Sequence, residues 1–216
     1  MDNSPPYRRA ALALILGAVL SLPIAYLFLQ THSPYEAALD RIVWGLGHHD
    51  YSRWALFPAL LILPGVRAFH LSQQKSYGSA GLWGYRLAFG GLVLAVFGQI
   101  WDYVLFDPWV HPLHGVGFMA QLIAILMMDI GLLLWAVSIF RAHTLSGWQL
   151  AIPALWLLYI VGMFIHIFTA DENWLYPRYG IDTGIIADVI ISVAYVLMGL
   201  MLIKTREREA GVLHRF

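Results

Sequence analysis

The sequence predicts an all-α integral membrane protein, a polytopic bundle of about six transmembrane helices, and three observations lead to this prediction. The 216 residues are 60% hydrophobic and 12% charged, whereas soluble domains contain about 25% charged residues. The mean hydropathy is +0.67. Long uncharged stretches recur along the chain, and a helix that crosses the ~30 Å hydrocarbon core needs roughly 20 apolar residues.

Six segments meet this requirement, and together they make residues 1–216 a single transmembrane domain. The first has no small-x-small cleavage motif after its apolar run, so we expect a retained helix and not a removed signal peptide. The second contains Pro58, Pro64 and Gly65, which would bend it, and a five-helix bundle without this segment remains an alternative. The predicted helices lie at roughly 10–30, 53–71, 84–106, 114–140, 148–170 and 182–203.

The basic residues predict that both termini are cytoplasmic, because cytoplasmic loops are enriched in Lys and Arg. With six helices and an inside N-terminus, three of the 13 basic residues lie outside, namely Arg41, Arg53 and Arg178. The others lie inside: Arg8, Arg9, Arg67, Lys75, Arg86, Arg141, Lys204, Arg206, Arg208 and Arg215. A five-helix model with an outside N-terminus gives the same ten-to-three distribution. Both models place residues 107–114 and 171–181 outside.

Charge and cysteine content exclude several functional classes. The formal net charge is zero, so the chain has no basic excess for binding nucleic acid. The absence of cysteine excludes disulfides, CxxC redox pairs, iron–sulfur ligation and thiolate metal sites. A metal site would therefore depend on imidazole and carboxylate. The expected partners are the lipid bilayer and, where the protein is a subunit, other membrane proteins.

Four consecutive helices each carry one line of polar residues through otherwise apolar sequence. Residues three, four or seven positions apart share a helical face. Because ionisable groups are costly beside lipid, such lines normally face the bundle interior or a hydrated cavity, and we expect these four to converge. They are Gln99 with Asp102, His114 with Gln121, Tyr159 with His166, and Asp188 with Ser192 and Tyr195.

The predicted outer end of the bundle carries a candidate metal site. His111 and His114 flank Pro112, which suits the first turn of a helix, where the helix dipole disfavours a protonated imidazole. Asp102 lies about one turn from the end of the preceding helix, and His166 should lie at similar depth on the next. We predict an outward-facing site of His111, His114 and His166, assisted by Asp102, for copper, zinc, iron or manganese.

Interpretations without a metal remain open. Histidines in a loop at headgroup level are often interfacial residues, and His166 with Asp102 would equally form a buried pair that fixes helix register. Asp129 lies ~22 Å along its helix from His114, and it either relays protons or bonds a neighbouring helix or subunit. The histidines beside basic residues at the predicted inner surface are interpreted as interfacial: His70, His143 and His214.

Three functional hypotheses follow. The first is a metal-binding membrane oxidoreductase, or a subunit of one, with its cluster on the outer face. The second is a redox subunit that handles haem b or a quinone, in which His114 or His166 ligates the haem or bonds a quinone carbonyl. The third is a non-catalytic integral subunit or small transporter whose buried carboxylates serve packing or proton movement.

Overall fold

A computed structural model confirms the predicted all-α class, because every element in the described part of the chain is helical. The described residues are 6–31, 46, 48–105, 113–169 and 183–213. Side chains are described for 7–27, 46, 50–105, 113, 115–165 and 185–204. Six helical segments are long and apolar enough to cross a membrane, and Asp50–Gln73 is one of them. The six-helix prediction is therefore confirmed by helix length and composition.

The spans are built from α-helices with two short additions, a π-helical turn after α4 and a 3-10 turn before α6. In chain order the elements are α1 (Pro6–Thr31), α2 (His48–Trp54), α3 (Leu56–Gln73), α4 (Ser79–Ile100), the π turn (Trp101–Leu105), α5 (His114–Ala142), the 3-10 turn (Gly147–Leu150), α6 (Ala151–Thr169) and α7 (Thr183–Leu213). α4 begins earlier than predicted, and α7 continues beyond the apolar span into the polar tail, as expected.

The second span is divided near its prolines. Pro58 has no N–H group and cannot bond the carbonyl four residues earlier, so it interrupts the hydrogen-bond ladder. The break falls at Ala55, whose N–H still donates to the carbonyl of Tyr51 at 3.0 Å. Pro58 then lies in the first turn of α3, and Pro64 lies inside that helix. α2 and α3 together form one span, which is present in the fold and is interrupted at Ala55.

The six spans form a closed ring. α1 packs against α3 and α7, α3 against α4, α4 against α5, α5 against α6, and α6 against α7. α3 also contacts α7 across the ring. Because consecutive spans run antiparallel, the last turns of α1, α4 and α6 lie at the same end of the bundle as the starts of α2, α5 and α7. The basic residues predict this end to be the outer one.

The most extensive helix contact, between α4 and α5, depends on small residues. A Cβ atom added at Gly131 would lie 2.2 Å from the backbone nitrogen of Ala88, and one added at Gly91 would lie 2.7 Å from the carbonyl oxygen of Ala124. Close backbone approach of this kind is typical of small-residue interfaces between membrane helices. The contact positions repeat every seven residues on both helices: Gly84, Gly91 and Gly98 on α4, and Gly117, Ala124 and Gly131 on α5.

Candidate functional site

A cavity of about 340 Å³ lies between the helices in the half of the bundle nearer the predicted outer end. Residues of α1, α2, α3, α4, the π turn, α5 and α7 line it. Its volume falls within the range of pockets that hold small molecules, which are mostly apolar with a few placed polar groups. The polar side chains in this lining are Ser21, Ser52, Gln99, Tyr103, Gln121, Asp188, Ser192 and Tyr195.

The predicted polar lines meet at this cavity. Gln99 of α4 and Gln121 of α5 both line it, as do Asp188, Ser192 and Tyr195 of α7. The convergence prediction is therefore confirmed for Gln99, for Gln121 and for the α7 line, while the side chain of His114 lies outside the described part of the chain. The hydroxyl groups that α1, α2 and the π turn add were not predicted from the sequence. Ser21 has no polar residue three, four or seven positions away, whereas Tyr103 lies four residues after Gln99, a spacing that could have indicated it.

The fourth polar line, on α6, faces the interior at Tyr159, which is 6% exposed. Its other member, His166, has no described side chain. Tyr159 is not part of the cavity lining, so the α6 line is buried in the bundle at this position without reaching the cavity.

Hydrogen bonds between helices fix one wall of the cavity. The hydroxyl oxygens of Ser21 in α1 and Ser192 in α7 lie 3.0 Å apart. Ser21 donates its single hydroxyl proton to the carbonyl of Ala18 at 2.8 Å. Ser192 is therefore the donor in the pair, because a hydroxyl group has one proton to give. The bond joins the two helices that close the ring.

The π turn forms the wall nearest the predicted outer end. Tyr103 hydrogen-bonds the side chain of Ser52, and its carbonyl accepts a hydrogen bond from Arg53 Nε at 2.6 Å. Trp101 Nε1 donates to the carbonyl of Leu113 at 3.0 Å. The turn is thereby attached to α2 on one side and to the start of α5 on the other. π turns inside α-helices occur frequently at functional sites.

Asp188 and Gln121 give the cavity its electrostatic character. Asp188 is the one carboxylate in the described lining, and no Lys, Arg or His accompanies it there. The Nε2 atom of Gln121 is buried and has no hydrogen-bond partner among the described atoms. A buried amide donor without a protein acceptor costs about 1–3 kcal/mol, so such donors normally meet a ligand or water. The cavity thus offers one described carboxyl group and at least one open hydrogen-bond donor.

Asp102, the predicted carboxylate of the metal site, is buried as expected. Its side chain is 1% exposed. A Cβ atom added at Gly117 would lie 2.1 Å from its Oδ1 atom, so the carboxylate packs directly on the first turns of α5. His114 is the first residue of that helix. Asp102 is therefore next to the helix turn on which the predicted site depends.

The histidines of the predicted metal site lie largely outside the described part of the chain. His111 lies wholly outside it, and for His114 and His166 the description covers the helical backbone but not the side chain. Among the described residues, no group of three or more histidine and carboxylate side chains is arranged to hold a metal ion. The metal site remains a prediction.

The other half of the bundle contains an aromatic cluster around His70. This residue is 5% exposed, so its interpretation as interfacial is wrong. Its ring stacks on Tyr85 with centroids 3.6 Å apart, and its Nδ1 atom is hydrogen-bonded to the Tyr77 hydroxyl. Burial raises the pKa of Tyr77, which lies in the turn between α3 and α4. The phenol is therefore protonated at neutral pH.

Two tryptophans complete this cluster. The rings of Trp135 and Trp156 lie 4.9 Å apart, and Phe69 meets both edge-on. Edge-on and offset aromatic pairs stabilise a core beyond their buried area. This half of the bundle therefore carries an aromatic core, and the candidate site lies in the other half.

Comparison of the chain with protein-family models, with curated proteins and with solved structures finds no match. Function is therefore inferred from the chemistry of the cavity and of the residues around it.

Proposed function

We propose that the protein binds a small organic cation in its intramembrane cavity, in the manner of a small transporter or a ligand-binding membrane subunit. The single observation that carries this proposal is the lining of the cavity, which is mostly apolar and combines the Asp188 carboxyl group with amides and hydroxyls. Pockets for small organic molecules have this composition, an apolar wall with a few placed polar groups. A ligand with an ammonium group and an apolar body complements both parts of the lining.

A series of ligands of similar size and different charge tests the proposal. The probes are benzylammonium, benzyl alcohol and benzoate, added to the detergent-purified protein at neutral pH. Ligands that bind only the folded state raise its thermal stability. We expect benzylammonium to raise the Tm most, benzyl alcohol less, and benzoate not at all, because Asp188 repels an anion.

The variant Asp188→Asn isolates the role of the charge. Loss of a charged hydrogen-bond partner should weaken benzylammonium binding by roughly tenfold to a hundredfold. The matched control is Asp50→Asn, because Asp50 is a carboxylate outside the cavity lining that pairs with Arg53 at 3.7 Å. Binding that is equal for benzoate and benzylammonium, or unchanged in Asp188→Asn, would refute the cation proposal.

A quinone is the other ligand that the lining accommodates, because Gln121 offers an open donor to a carbonyl oxygen. This donor supports the quinone alternative of the hypothesis of a subunit that handles haem b or a quinone. Menadione added to the same assay distinguishes the two ligand classes. If menadione stabilises the Asp188→Asn variant but not the Gln121→Leu variant, we would conclude that the cavity binds a quinone and not a cation.

The position of Asp102 favours a second candidate function, a metal-binding oxidoreductase or a subunit of one. The proposed ligands are His111, His114 and His166 with Asp102, and the proposed ions are copper, zinc, iron or manganese. The supporting observation is the burial of Asp102 against Gly117, one turn from His114. Metal and haem quantitation on the purified protein tests this candidate, and haem b in that assay would favour the haem-handling alternative.

A further inference from the structure

A groove of about 470 Å³ lies between α1, α3 and α4, toward the end of the bundle opposite the cavity. It shares no lining residue with the cavity. The groove opens on the surface of the bundle, because Pro64, Arg67 and Leu71 line it and are exposed. Most of its lining is apolar, and Arg67 is the one charged residue in the described lining.

Close packing of the helices forms the walls of this groove. Ala68 lines it and is buried. One turn away on α3, the Cβ position of Gly65 lies 2.3 Å from the Cβ atom of Leu14, which is fully buried in α1. On the α4 side, the ring of Phe89 packs on that of Tyr85 with centroids 5.4 Å apart. The groove therefore has a closed floor and a packed apolar side.

Arg67 places a positive charge where the groove meets the membrane boundary. Tyr7 lines the same groove and is the first residue of the first apolar span, so this part of the groove lies at headgroup level. No ion pair or hydrogen bond joins Arg67 to another residue in the described part of the chain. Leu63 lies one turn earlier on the same face of α3 and continues the groove toward the middle of the span.

The groove lies at an end of the bundle where every charged residue with a described side chain is basic. These residues are Arg8, Arg9, Arg67, Lys75, Arg86, Arg141 and Lys204. The described carboxyl groups lie at the opposite end or inside the bundle. Positive-inside bias accounts for basic residues at a cytoplasmic end, but it does not require one of them to form the wall of an apolar groove.

We propose that this groove binds one anionic phospholipid, with the phosphate at Arg67 and an acyl chain along Leu63 and Phe89. A guanidinium group can bond two phosphate oxygens at once, and basic pockets between spans on the cytoplasmic side bind anionic headgroups. A second copy of the chain is a poor occupant, because it would bring an identical basic end against this one. The lipid site is independent of the ligand proposed for the cavity.

Native mass spectrometry of the detergent-purified full chain tests the proposal, because it counts both the retained phospholipids and the chains. The probes are equal amounts of dioleoyl phosphatidylglycerol and dioleoyl phosphatidylcholine, which have the same acyl chains and differ in net charge. We expect the wild type to retain phosphatidylglycerol about fivefold in preference, since one basic side chain near anionic lipid contributes about this factor. Arg67→Gln should lose most of the preference.

The matched control is Arg141→Gln, because Arg141 is exposed at the same end of the bundle and does not line the groove. This variant should keep the preference of the wild type. Circular dichroism checks that both variants retain their helices. Two further probes separate a phospholipid from a free anion: dihexanoyl phosphatidylglycerol, whose short chains should bind more weakly, and inorganic phosphate, an excess of which should not displace the dioleoyl lipid.

Four results would overturn the proposal. Equal retention of the two dioleoyl lipids by the wild type would exclude a site for an anionic headgroup. An equal loss of preference in Arg67→Gln and Arg141→Gln, or no loss in either, would mean that diffuse surface charge and not the groove attracts the lipid. Displacement by inorganic phosphate would indicate a free-anion site, and a wild-type dimer without bound phospholipid would assign the groove to a second copy of the chain.

Discussion

Three carboxyl groups inside the bundle have different surroundings, and the surroundings determine their chemistry. Asp102 packs on the start of α5 at Gly117, Asp188 borders the cavity, and the Oδ1 atom of the buried Asp129 has no hydrogen-bond partner among the described residues. Burial, neighbouring charges and hydrogen bonds each change how readily a carboxyl group ionises. One residue type therefore suits different roles, and those proposed for Asp102 and Asp188 are metal ligation and binding of a cation.

The predicted metal site is tested by removing its ligands one at a time. We expect the wild-type protein to bind about one transition-metal ion per chain, and His114→Ala and His166→Ala each to lose at least about tenfold in affinity. His143→Ala is the matched control, because His143 is exposed at the opposite end of α5. Bound metal is measured by elemental analysis. Less than one metal ion per wild-type chain would refute the hypothesis. Metal binding in both ligand variants that equals binding by the wild type would refute it as well.

The inward-facing polar residues were predictable because helical spacing and the cost of lipid exposure act locally. Gln99 and Asp102 lie three residues apart, and Asp188 and Ser192 lie four apart, so each pair occupies one face whatever the neighbouring helices are. The cost of ionisable groups in lipid then selects the interior for that face. Asp102 is buried and Asp188 lines the cavity, as these two arguments require.

The burial of His70 was not predictable in this way, because it depends on residues distant in the chain. In sequence, His70 follows Arg67 at the end of an apolar run, which is the pattern of an interfacial residue. In the fold, Tyr85 covers one face of its ring, and Trp135 meets it edge-on with centroids 6.3 Å apart.

At the scale of helices, the sequence predicted the number of spans better than their internal irregularities. Apolar length alone identifies a span, because every backbone group in hydrocarbon must be bonded within its helix. A bend in the second span was predicted, because proline removes a backbone hydrogen bond, and the break lies at Ala55. The π turn Trp101–Leu105 was not, because it contains no proline or glycine, and the sequence has no local signal for it.

The repeat of small residues on α4 and α5 was present in the sequence but was not recognised there. Gly84, Gly91 and Gly98 are seven apart, a spacing that keeps them on nearly one face of α4. Such a pattern predicts a close helix contact but does not identify the partner helix. The pairing with α5 becomes visible only in the fold, where Gly131 approaches the backbone of Ala88.

This interface gives a prediction for stability. Gly131→Ala should destabilise the bundle by ~1–3 kcal/mol, because the new methyl group would meet the backbone of Gly84 and Ala88, which cannot rotate away. Gly115→Ala, on the same helix, is the matched control, since a Cβ atom there meets nothing within 4 Å. It should be neutral or stabilising by up to ~1 kcal/mol, because alanine favours helix more than glycine does.

Unfolding of both variants in mixed detergent micelles, followed by circular dichroism, measures this difference. If the Gly131→Ala protein were as stable as Gly115→Ala, α4 and α5 would be able to move apart and accept the methyl group without loss of stability. In that case the close approach of these helices would not be a source of stability.

At the scale of the whole molecule, the closed ring explains why the second span belongs to the bundle. α3 packs on α1 and α4 and also reaches α7 across the ring. The Cβ position of Gly65 in α3 lies 2.3 Å from the Leu14 Cβ atom, so α3 and α1 are in close contact. Sequence patterns cannot give this order of helices, because contacts between α1 and α7 join opposite ends of the chain.

The number of spans determines the topology that we expect. With six spans both termini lie on the same side, and the ten-to-three distribution of basic residues predicts that this side is the cytoplasm. The five-helix model satisfies the same distribution with an outside N-terminus, so charge alone does not separate the two. The location of Asp50 does, because this residue begins the second span: it lies at the outer side in the six-helix model and inside in the five-helix model.

Single cysteines in this cysteine-free chain test the topology directly with a membrane-impermeant thiol reagent on intact cells. We expect cysteines at residues 3 and 210 to react only after the cells are permeabilised, and a cysteine at residue 50 to react from outside. A cysteine at Leu113, which both models place outside, is the positive control, and Gln74, which both place inside, is the negative one. External labelling at residue 3 combined with protection at residue 50 would contradict the six-span topology, because the chain would then cross the membrane once between residues 3 and 50 and not again before α4.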